Sequence, residues 1–272
     1  MRIPEAPFVR DFIRMSADAW GKGWHERNGG NLSYRLRSED MAVIGQDPRA
    51  DGKWVELTRN LPELAGEYFL LTGQGKYMRN VMLDPPANLA LIVIDQKGAR
   101  YQLLWGLSQG GKPSSELPSH LLIHAIKKIS SQGLNRVVYH AHPANLIALS
   151  FVLPPDSRDF TRALWSMMPE CLMVFPEGLG VIPWAVPGGE EIAARSALLM
   201  EKYNALIWSH HGVFCAGNSF DEAFGLMETL EKAGEICVKI LSMGGARSTP
   251  SGQDLRRLAD ALRLDVNDDF LT

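Results

Sequence analysis

Three apolar segments follow one another in the first half of the chain without a long helical segment between them. They read EYFLLTG (67–73), NLALIVID (88–95) and ARYQLLWG (99–106), and a Lys97-Gly98 turn separates the last two. Consecutive strands joined by short connections form hairpins, whereas parallel strands need long crossovers. The sequence therefore predicts an α/β fold with helices over a mixed or antiparallel sheet, and a pure dinucleotide-binding fold is disfavoured because GxGxxG is absent.

Apolar periodicity and turn residues predict the remaining elements. Helices are expected at 8–24 (with Trp20 on the apolar side), 115–129, within 154–170, at 189–203, from the capping-box sequence SFDE at 219 onward, and near the C-terminus. Short strands are expected at NLSYRL, VVYHAH, CLMVF, LGVIPW and ALIWSH, and residues 43–57 are expected to be irregular. No repeat or low-complexity linker is visible, so residues 1–272 are predicted to form a single domain.

Charge and hydropathy narrow the range of partners and compartments. The net charge of −3 argues against a general nucleic-acid binder, and no apolar run approaches the length of a membrane span. The first residues, MRIPEAPFVRDF, lack the apolar core of a secretory signal. Three cysteines without a CxxC pair cannot all be disulfide-bonded within one chain. We therefore expect a cytoplasmic protein that binds neither nucleic acid nor membrane.

Two histidines one residue apart stand out in the apolar stretch VVYHAHPANLIAL (137–149). Side chains two apart on a strand share a face, so His140 and His142 would project together, opposite Tyr139 and Ala141. A helix would separate the pair by about 200°. Because neutral imidazole is the commonest metal ligand, the pair suggests a metal site. The alternative is a pair of hydrogen-bonded core histidines.

A third ligand is available at the end of the strand ALIWS. Either His210 or His211 would complete a set of three imidazoles, and the residues alone do not choose between these neighbours. Three protein ligands with an open position are typical of catalytic rather than structural zinc. The sequence HLLIH (120–124) is not HExxH, since it lacks the glutamate, and is predicted to contain ordinary helix residues.

Donor-rich segments suggest what such a metal site would act on. Ser114, Ser115 and Glu116 lie at the start of a predicted helix, where free N–H groups favour an anion. The glycine-containing segments NGGN (28–31) and LTGQGK (71–76) can also offer backbone N–H groups. Capping and tight turns are the ordinary roles of such residues. Beside one metal site, they predict a phosphorylated small molecule as ligand.

Taken together, these segments resemble the class II, zinc-dependent sugar-phosphate aldolases, the group that includes fuculose-phosphate aldolase and ribulose-phosphate 4-epimerase. The resemblance covers nearly the whole chain and is carried by WHERNGGNLSYRL, LLTGQGKYMRN, SSELPSH, HAHPANL, ECLMVFPEGLGVIPWAVPG, HHGVF and FGLMETLEKAGEI. It implies a three-layer α/β/α sandwich around a largely antiparallel sheet, assembled as a homotetramer. It also implies reversible cleavage of a sugar phosphate to dihydroxyacetone phosphate and an aldehyde, with one zinc ion per subunit stabilising the enediolate.

The resemblance assigns roles to individual residues. It makes His140, His142 and His211 the zinc ligands, because the family's third histidine directly precedes Gly-Val. Glu116 corresponds to the catalytic glutamate, and Glu170 matches a carboxylate that assists at a neighbouring subunit's site. The segments that hold the substrate phosphate contain Asn28, Asn31, Thr72, Gly73, Ser114 and Ser115. This chain departs from the family by having Gln74 where the family has a phosphate-contacting serine.

Three alternatives remain. A sister enzyme with the same metal site, such as fuculose-phosphate aldolase or a phosphosugar epimerase or dehydratase, would share these motifs. A zinc hydrolase uses similar ligands but needs a water-activating carboxylate and no phosphate-binding segments. A non-catalytic binding module like the adducin head is disfavoured because all four candidate metal and base residues are present.

Overall fold

A nine-stranded sheet runs through the part of the chain that the computed structural model describes, residues 3–44 and 52–271. The strands are β1 (Asn31–Arg35), β2 (Trp54–Glu56), β3 (Tyr68–Thr72), β4 (Leu89–Ile94), β5 (Arg100–Gly106), β6 (Val137–Ala141), β7 (Gly180–Ile182), β8 (Ala205–Trp208) and β9 (Gly212–Gly217). Their order is β2-β5-β4-β3-β1-β6-β9-β8-β7, and only β7 and β8 pair in parallel. The predicted, largely antiparallel α/β fold is confirmed, and the single domain over residues 1–272 stays a prediction.

Helices cover both faces of this sheet. They are α1 (Pro7–Gly21), α2 (Ser38–Ile44), α3 (Pro85–Asn88), α4 (Leu117–Ser130), α5 (Ala144–Leu149), α6 (Ser157–Trp165), α7 (Pro169–Val174), α8 (Glu190–Lys202), α9 (Phe220–Ser242) and α10 (Gly252–Leu262). Helices α4 and α8 pack together over one face, where Leu121 of α4 belongs to the same core as Phe69 of β3. Helices α1 and α9 cover the other face, where Leu230 belongs to the same core as Tyr139. The result is a three-layer sandwich.

The N-terminal helix follows its apolar pattern except at Trp20. Phe8, Phe12, Met15 and Ala19 are buried as predicted, and the helix ends at Gly21 rather than at residue 24. Trp20 is 47% exposed, with the guanidinium of Arg79 over its ring. At 100° per residue, position 20 lies about 120° around the helix from position 8, which takes it off the buried side. The prediction that Trp20 belongs to the apolar side was wrong.

Other predicted elements also differ from the structure. The segment CLMVF was predicted to be a strand, but its first four residues lie in α7, and Phe175 follows the end of that helix. Cys171 and Leu172 are buried next to each other, a one-sided helical pattern rather than strand alternation. The range 43–57 contains the end of α2 and all of β2, an exposed edge strand without buried alternation, and its residues 45–51 lie outside the described part. Strand β9 was not predicted.

One end of the sheet gathers the segments singled out in the sequence. Strand β1 begins there, β3 and β6 end there, and the turn from β8 to β9 lies beside them. An isolated bridge between Gly73 and Pro113 brings the start of α4 onto the end of β3. Within the described residues, none of the helices combines the length and apolar character needed to cross a membrane.

Candidate active site

Three histidines meet at this end of the sheet. His140 lies on β6, His142 follows the last residue of that strand, and His211 lies in the turn between β8 and β9. One ring nitrogen of each lies within 4.8 Å of the others, and the Nε2 atoms of His140 and His211 are 3.4 Å apart. The structure therefore brings together the three histidines that the family resemblance assigns as ligands.

Neighbouring groups orient two of these rings. The Nδ1–H of His140 donates to the carbonyl of Val213 at 3.1 Å, and the ring stacks on Phe214 with centroids 4.2 Å apart. The Nδ1–H of His142 donates to Oε1 of Glu26 at 2.7 Å. Each hydrogen bond uses Nδ1 and leaves an Nε2 lone pair facing the cluster. A hydrogen bond on the remote nitrogen is the usual means of fixing a ligating imidazole.

The cluster fits a divalent metal ion. Burial holds the pKa of His140 well below its usual value and lowers that of His211 to about 4, and the charge of His142 lowers both further. Nε2 of His142 is buried and has no hydrogen-bond partner within residues 3–44 and 52–271. Converging lone pairs repel one another unless a cation lies between them, and three imidazoles are suitable ligands for zinc and related divalent ions.

The neighbouring histidine, His210, is held away from the cluster. Its N–H donates to Oγ of Ser150 at 2.8 Å, and its Nε2 lies 3.0 Å from the Ser150 carbonyl. The ring also packs against Phe151 with centroids 4.2 Å apart. His210 has a φ of +64°, so the backbone turns sharply between the two adjacent histidines and directs their rings to different partners.

Glu116 lies against the cluster from α4. It is the residue immediately before the helix, and its Oε2 accepts a hydrogen bond from Nδ2 of Asn31 at 2.8 Å. The same oxygen lies 3.7 Å from Nε2 of His140. Burial raises the pKa of Glu116, whereas the Asn31 hydrogen bond and the charge of His142 lower it. A carboxylate so placed can exchange a proton with a molecule bound at the cluster.

Two of the predicted phosphate segments are joined to each other. The Ser114 N–H donates to the carbonyl of Thr72 at 3.0 Å, and the Ser114 Oγ accepts from the N–H of Glu116 at 3.3 Å. The Thr72 Oγ1 in turn accepts from the N–H of Leu32 at 3.3 Å. Thr72, Gly73 and Ser114 are therefore fixed between β1, β3 and the start of α4.

The other predicted phosphate residues differ in exposure and contacts. Ser115 and Asn28 are exposed, as is Gln74. Asn31 is buried at the start of β1, and its amide is bonded to Glu116 on one side and to His120 on the other. Asn31 therefore lies near the histidine cluster, and its link to the cluster is the hydrogen bond that it donates to Glu116.

The segment WHERNGGN contributes groups that sequence reasoning did not single out. Glu26 orients His142, and His25 bridges the Gly29 carbonyl and the Tyr139 hydroxyl at 2.8 Å each. Burial lowers the pKa of His25 to about 4, which keeps the ring neutral. Nothing in residue spacing distinguishes these two from surface residues, because their partners are more than a hundred positions away in β6 and after it.

Two glycines leave room for the histidine rings. A β-carbon on Gly30, whose φ is +70°, would lie 2.5 Å from Nδ1 of His25 and 2.7 Å from the His140 carbonyl. A β-carbon on Gly212 would lie 2.4 Å from the Ala141 carbonyl and 2.9 Å from the rings of His140 and His142. Both positions therefore require glycine for the cluster to keep its geometry.

Glu170 occupies a separate part of the surface. It lies in the first turn of α7 and is exposed. It lines a depression with Lys22, Met168 and Glu228, a set that contains neither Glu116 nor the three histidines.

The chain matches a known protein family over most of its length. The family model described as Class II Aldolase and Adducin N-terminal domain matches residues 10–238. A rhamnulose-1-phosphate aldolase of Mannheimia succiniciproducens is 46% identical over 253 residues, covering 93% of each chain. One from Escherichia fergusonii is 46% identical over 258 residues, covering 95% of this chain and 94% of the relative.

Solved structures share the fold. The sugar-phosphate aldolase of Thermotoga maritima superposes with a TM-score of 0.74 at 30% identity, covering 88% of this chain and 98% of that one. The L-fuculose-1-phosphate aldolase of Thermus thermophilus gives a TM-score of 0.56 at 20% identity, covering 88% and 97%. The second likeness concerns the fold alone.

Proposed function

Because the chain belongs to the class II aldolase and adducin N-terminal domain family, we propose that it catalyses the reversible cleavage of L-rhamnulose 1-phosphate to dihydroxyacetone phosphate and L-lactaldehyde. One observation carries this proposal. Three imidazoles converge with Glu116 beside them, in a chain 46% identical to rhamnulose-1-phosphate aldolases over almost its whole length. The chain is thus a carbon–carbon lyase.

The metal we propose is zinc, one ion per subunit, held by His140, His142 and His211. The convergence of one ring nitrogen from each histidine, and the Nε2 of His142 that has no hydrogen-bond partner among the described residues, support this assignment. Three protein ligands leave a coordination position for substrate. When bound, the ion supplies Lewis acidity that offsets the negative charge developing on substrate oxygens beside the reacting carbon.

The residue that moves the proton in this proposal is Glu116. In the condensation direction it removes a proton from the carbon of dihydroxyacetone phosphate that forms the new bond. In the cleavage direction it returns a proton to the same carbon. Its placement 3.7 Å from Nε2 of His140 and its mostly buried side chain support this role, since a base must lie close to the proton it takes.

The phosphate is proposed to lie between the end of β3 and the start of α4. Thr72, Gly73, Ser114 and Ser115 are contiguous there, and Asn28 would approach from the loop before β1. The first N–H groups of α4, a 14-residue helix, favour an anion. One N–H of the Asn31 amide remains for the phosphate, and Gln74 can donate through its side-chain amide.

Side-by-side assays of cleavage test the substrate. Purified, zinc-loaded protein is expected to cleave L-rhamnulose 1-phosphate with a kcat/KM well above that for L-fuculose 1-phosphate or ribulose phosphates. Coupled detection of dihydroxyacetone phosphate measures all of them under one condition. A preference for fuculose phosphate would assign the sister aldolase activity, and epimerisation of a ribulose phosphate without cleavage would assign the epimerase activity.

A homotetramer with shared sites is the assembly we propose. Phe151 and Val152 are exposed apolar residues beside His210, a feature typical of interfaces. If Glu170 assists a neighbouring site, Glu170→Ala lowers turnover while bound zinc is retained. Glu201→Ala, at an exposed carboxylate on α8, is the control and is expected to leave turnover unchanged.

Light scattering after size exclusion gives the mass of the assembly, with turnover and metal content measured on the same samples. A fully active monomer would contradict the shared site.

A further inference from the structure

A buried row of polar side chains runs behind Glu116, between α4 and β1. Glu116, His120 and His124 are four residues apart along the helix, so they share one face. Asn31 and Ser33 are two apart on β1 and share the face that meets it. The two sets interleave into one chain of hydrogen bonds.

The contacts are continuous from Glu116 to His124. Nδ2 of Asn31 donates to Oε2 of Glu116 at 2.8 Å, and Oδ1 of Asn31 contacts Nε2 of His120. Oγ of Ser33 lies 2.6 Å from Nδ1 of His120 and 2.8 Å from Nε2 of His124. The four side chains behind Glu116 are between 0% and 7% exposed, so water does not compete for these bonds.

The carboxylate determines the direction of every bond. Because Asn31 turns its amide nitrogen to Glu116, its oxygen must accept, and Nε2 of His120 must carry the proton. Nδ1 of the neutral His120 ring then accepts from the Ser33 hydroxyl, whose oxygen accepts from Nε2–H of His124. Burial lowers the pKa of His120 to about 3 and that of His124 well below its usual value, so both rings are neutral. Reversing the chain would set an amide oxygen against the carboxylate.

Stability does not account for this arrangement. Buried polar groups lose hydration, and Nδ1 of His124 is buried with no hydrogen-bond partner in the part of the chain that the structure describes. Apolar side chains of similar size would fill the space between α4 and β1 without that loss. A buried network that is less stabilising than an apolar core is expected where it fixes the geometry of a particular group.

We propose that Asn31, His120, Ser33 and His124 form a positioning chain that holds Oε2 of Glu116, the carboxylate oxygen nearest His140, in place beside the histidine cluster. The proposal rests on the proposed function, in which Glu116 moves the proton. Asn31 acts directly on Glu116, and the other three act through Asn31. The sequence HLLIH thereby gains a role in the reaction without being a metal motif.

Ser33→Ala tests the chain with the smallest change, because it removes only the hydroxyl that joins the two rings. We expect kcat for cleavage to fall roughly 10- to 100-fold, the usual effect of a misplaced catalytic group, with KM and bound zinc within about twofold of wild type. Ser119→Ala is the matched control. Ser119 is also a buried residue, within α4, and its hydroxyl has no hydrogen-bond partner among the described residues, so kcat should stay within about twofold of wild type.

A second pair of variants covers the possibility that Ser33→Ala folds poorly. Glutamine at position 120 retains an N–H near the place of Nε2, whereas leucine does not. His120→Gln is therefore expected to keep a clearly higher kcat than His120→Leu at equal zinc content. Equal loss in both variants would contradict a role for that N–H.

Nitrogen NMR of the imidazoles in the wild-type protein tests the chain of hydrogen bonds independently of any activity measurement. His120 should be neutral with its proton on Nε2, and a proton on Nδ1 would overturn the proposal. If wild type cleaves the sugar phosphate and Ser33→Ala equals Ser119→Ala, the positioning role fails while the proposed function stands. If wild type cleaves none of the sugar phosphates, the proposed function fails and the positioning role falls with it.

Discussion

Replacing His140, His142 or His211 by alanine is expected to remove the bound metal ion and abolish cleavage, whereas His210→Ala retains both. The first three rings present converging nitrogens, and loss of one leaves only two ligands, too few to hold a catalytic zinc ion. His210 is bonded to Ser150 instead. It is thus a matched control, an adjacent residue of the same type.

Elemental analysis after dialysis against zinc-free buffer, run beside the cleavage assay, measures both outcomes. Metal loss from His210→Ala with retention by His211→Ala would show that the assignment in the turn between β8 and β9 is wrong. A wild-type protein that takes up no divalent ion would instead favour the non-catalytic, adducin-head-like alternative.

Glu116→Gln is expected to abolish proton exchange while leaving the metal in place. Wild type given only dihydroxyacetone phosphate in D₂O should exchange one specific C–H proton without any aldehyde. Glutamine has nearly the same shape and can still accept from Asn31, but it is not a base. We expect the exchange rate to fall by about two to four orders of magnitude, the usual contribution of a positioned base.

Proton NMR follows this exchange, with zinc content and binding of the phosphate ester measured in parallel. Glu177→Gln is the control, because Glu177 is also a largely buried glutamate that accepts from an asparagine amide, Nδ2 of Asn204, at 2.8 Å. Near-normal exchange by zinc-loaded Glu116→Gln would remove Glu116 from the role of base and point to another carboxylate.

Local patterns were sufficient to predict most of the sheet. Successive apolar segments with short turns predicted the hairpin from β4 to β5, and the two-residue spacing placed His140 opposite Tyr139. Patterns failed at two other strands. Strand β2 has only three residues and none of them is buried, and β9 (GVFCAG) includes two glycines and an alanine, which are depleted in strands.

The site could be predicted only in part. Spacing suggested the histidine pair, but the choice of His211 over His210 depended on family resemblance, because a sharp turn separates two adjacent residues that spacing treats alike. The roles of Glu26 and of the positioning chain behind Glu116 could not be predicted, because they come from contacts between segments far apart in the sequence, such as that of Ser33 with His120. A single sequence does not show which residues of β1 face which residues of α4.

The close approach of Gly30 and Gly212 to backbone carbonyls at the end of β6 constrains how this protein can evolve. An alanine at either position would need a displaced carbonyl, that of His140 for Gly30 and that of Ala141 for Gly212, as well as a displaced imidazole ring. Replacement of the metal-binding histidines would leave both carbonyls in place. Both glycines are therefore expected to persist even in a descendant that has given up metal chemistry.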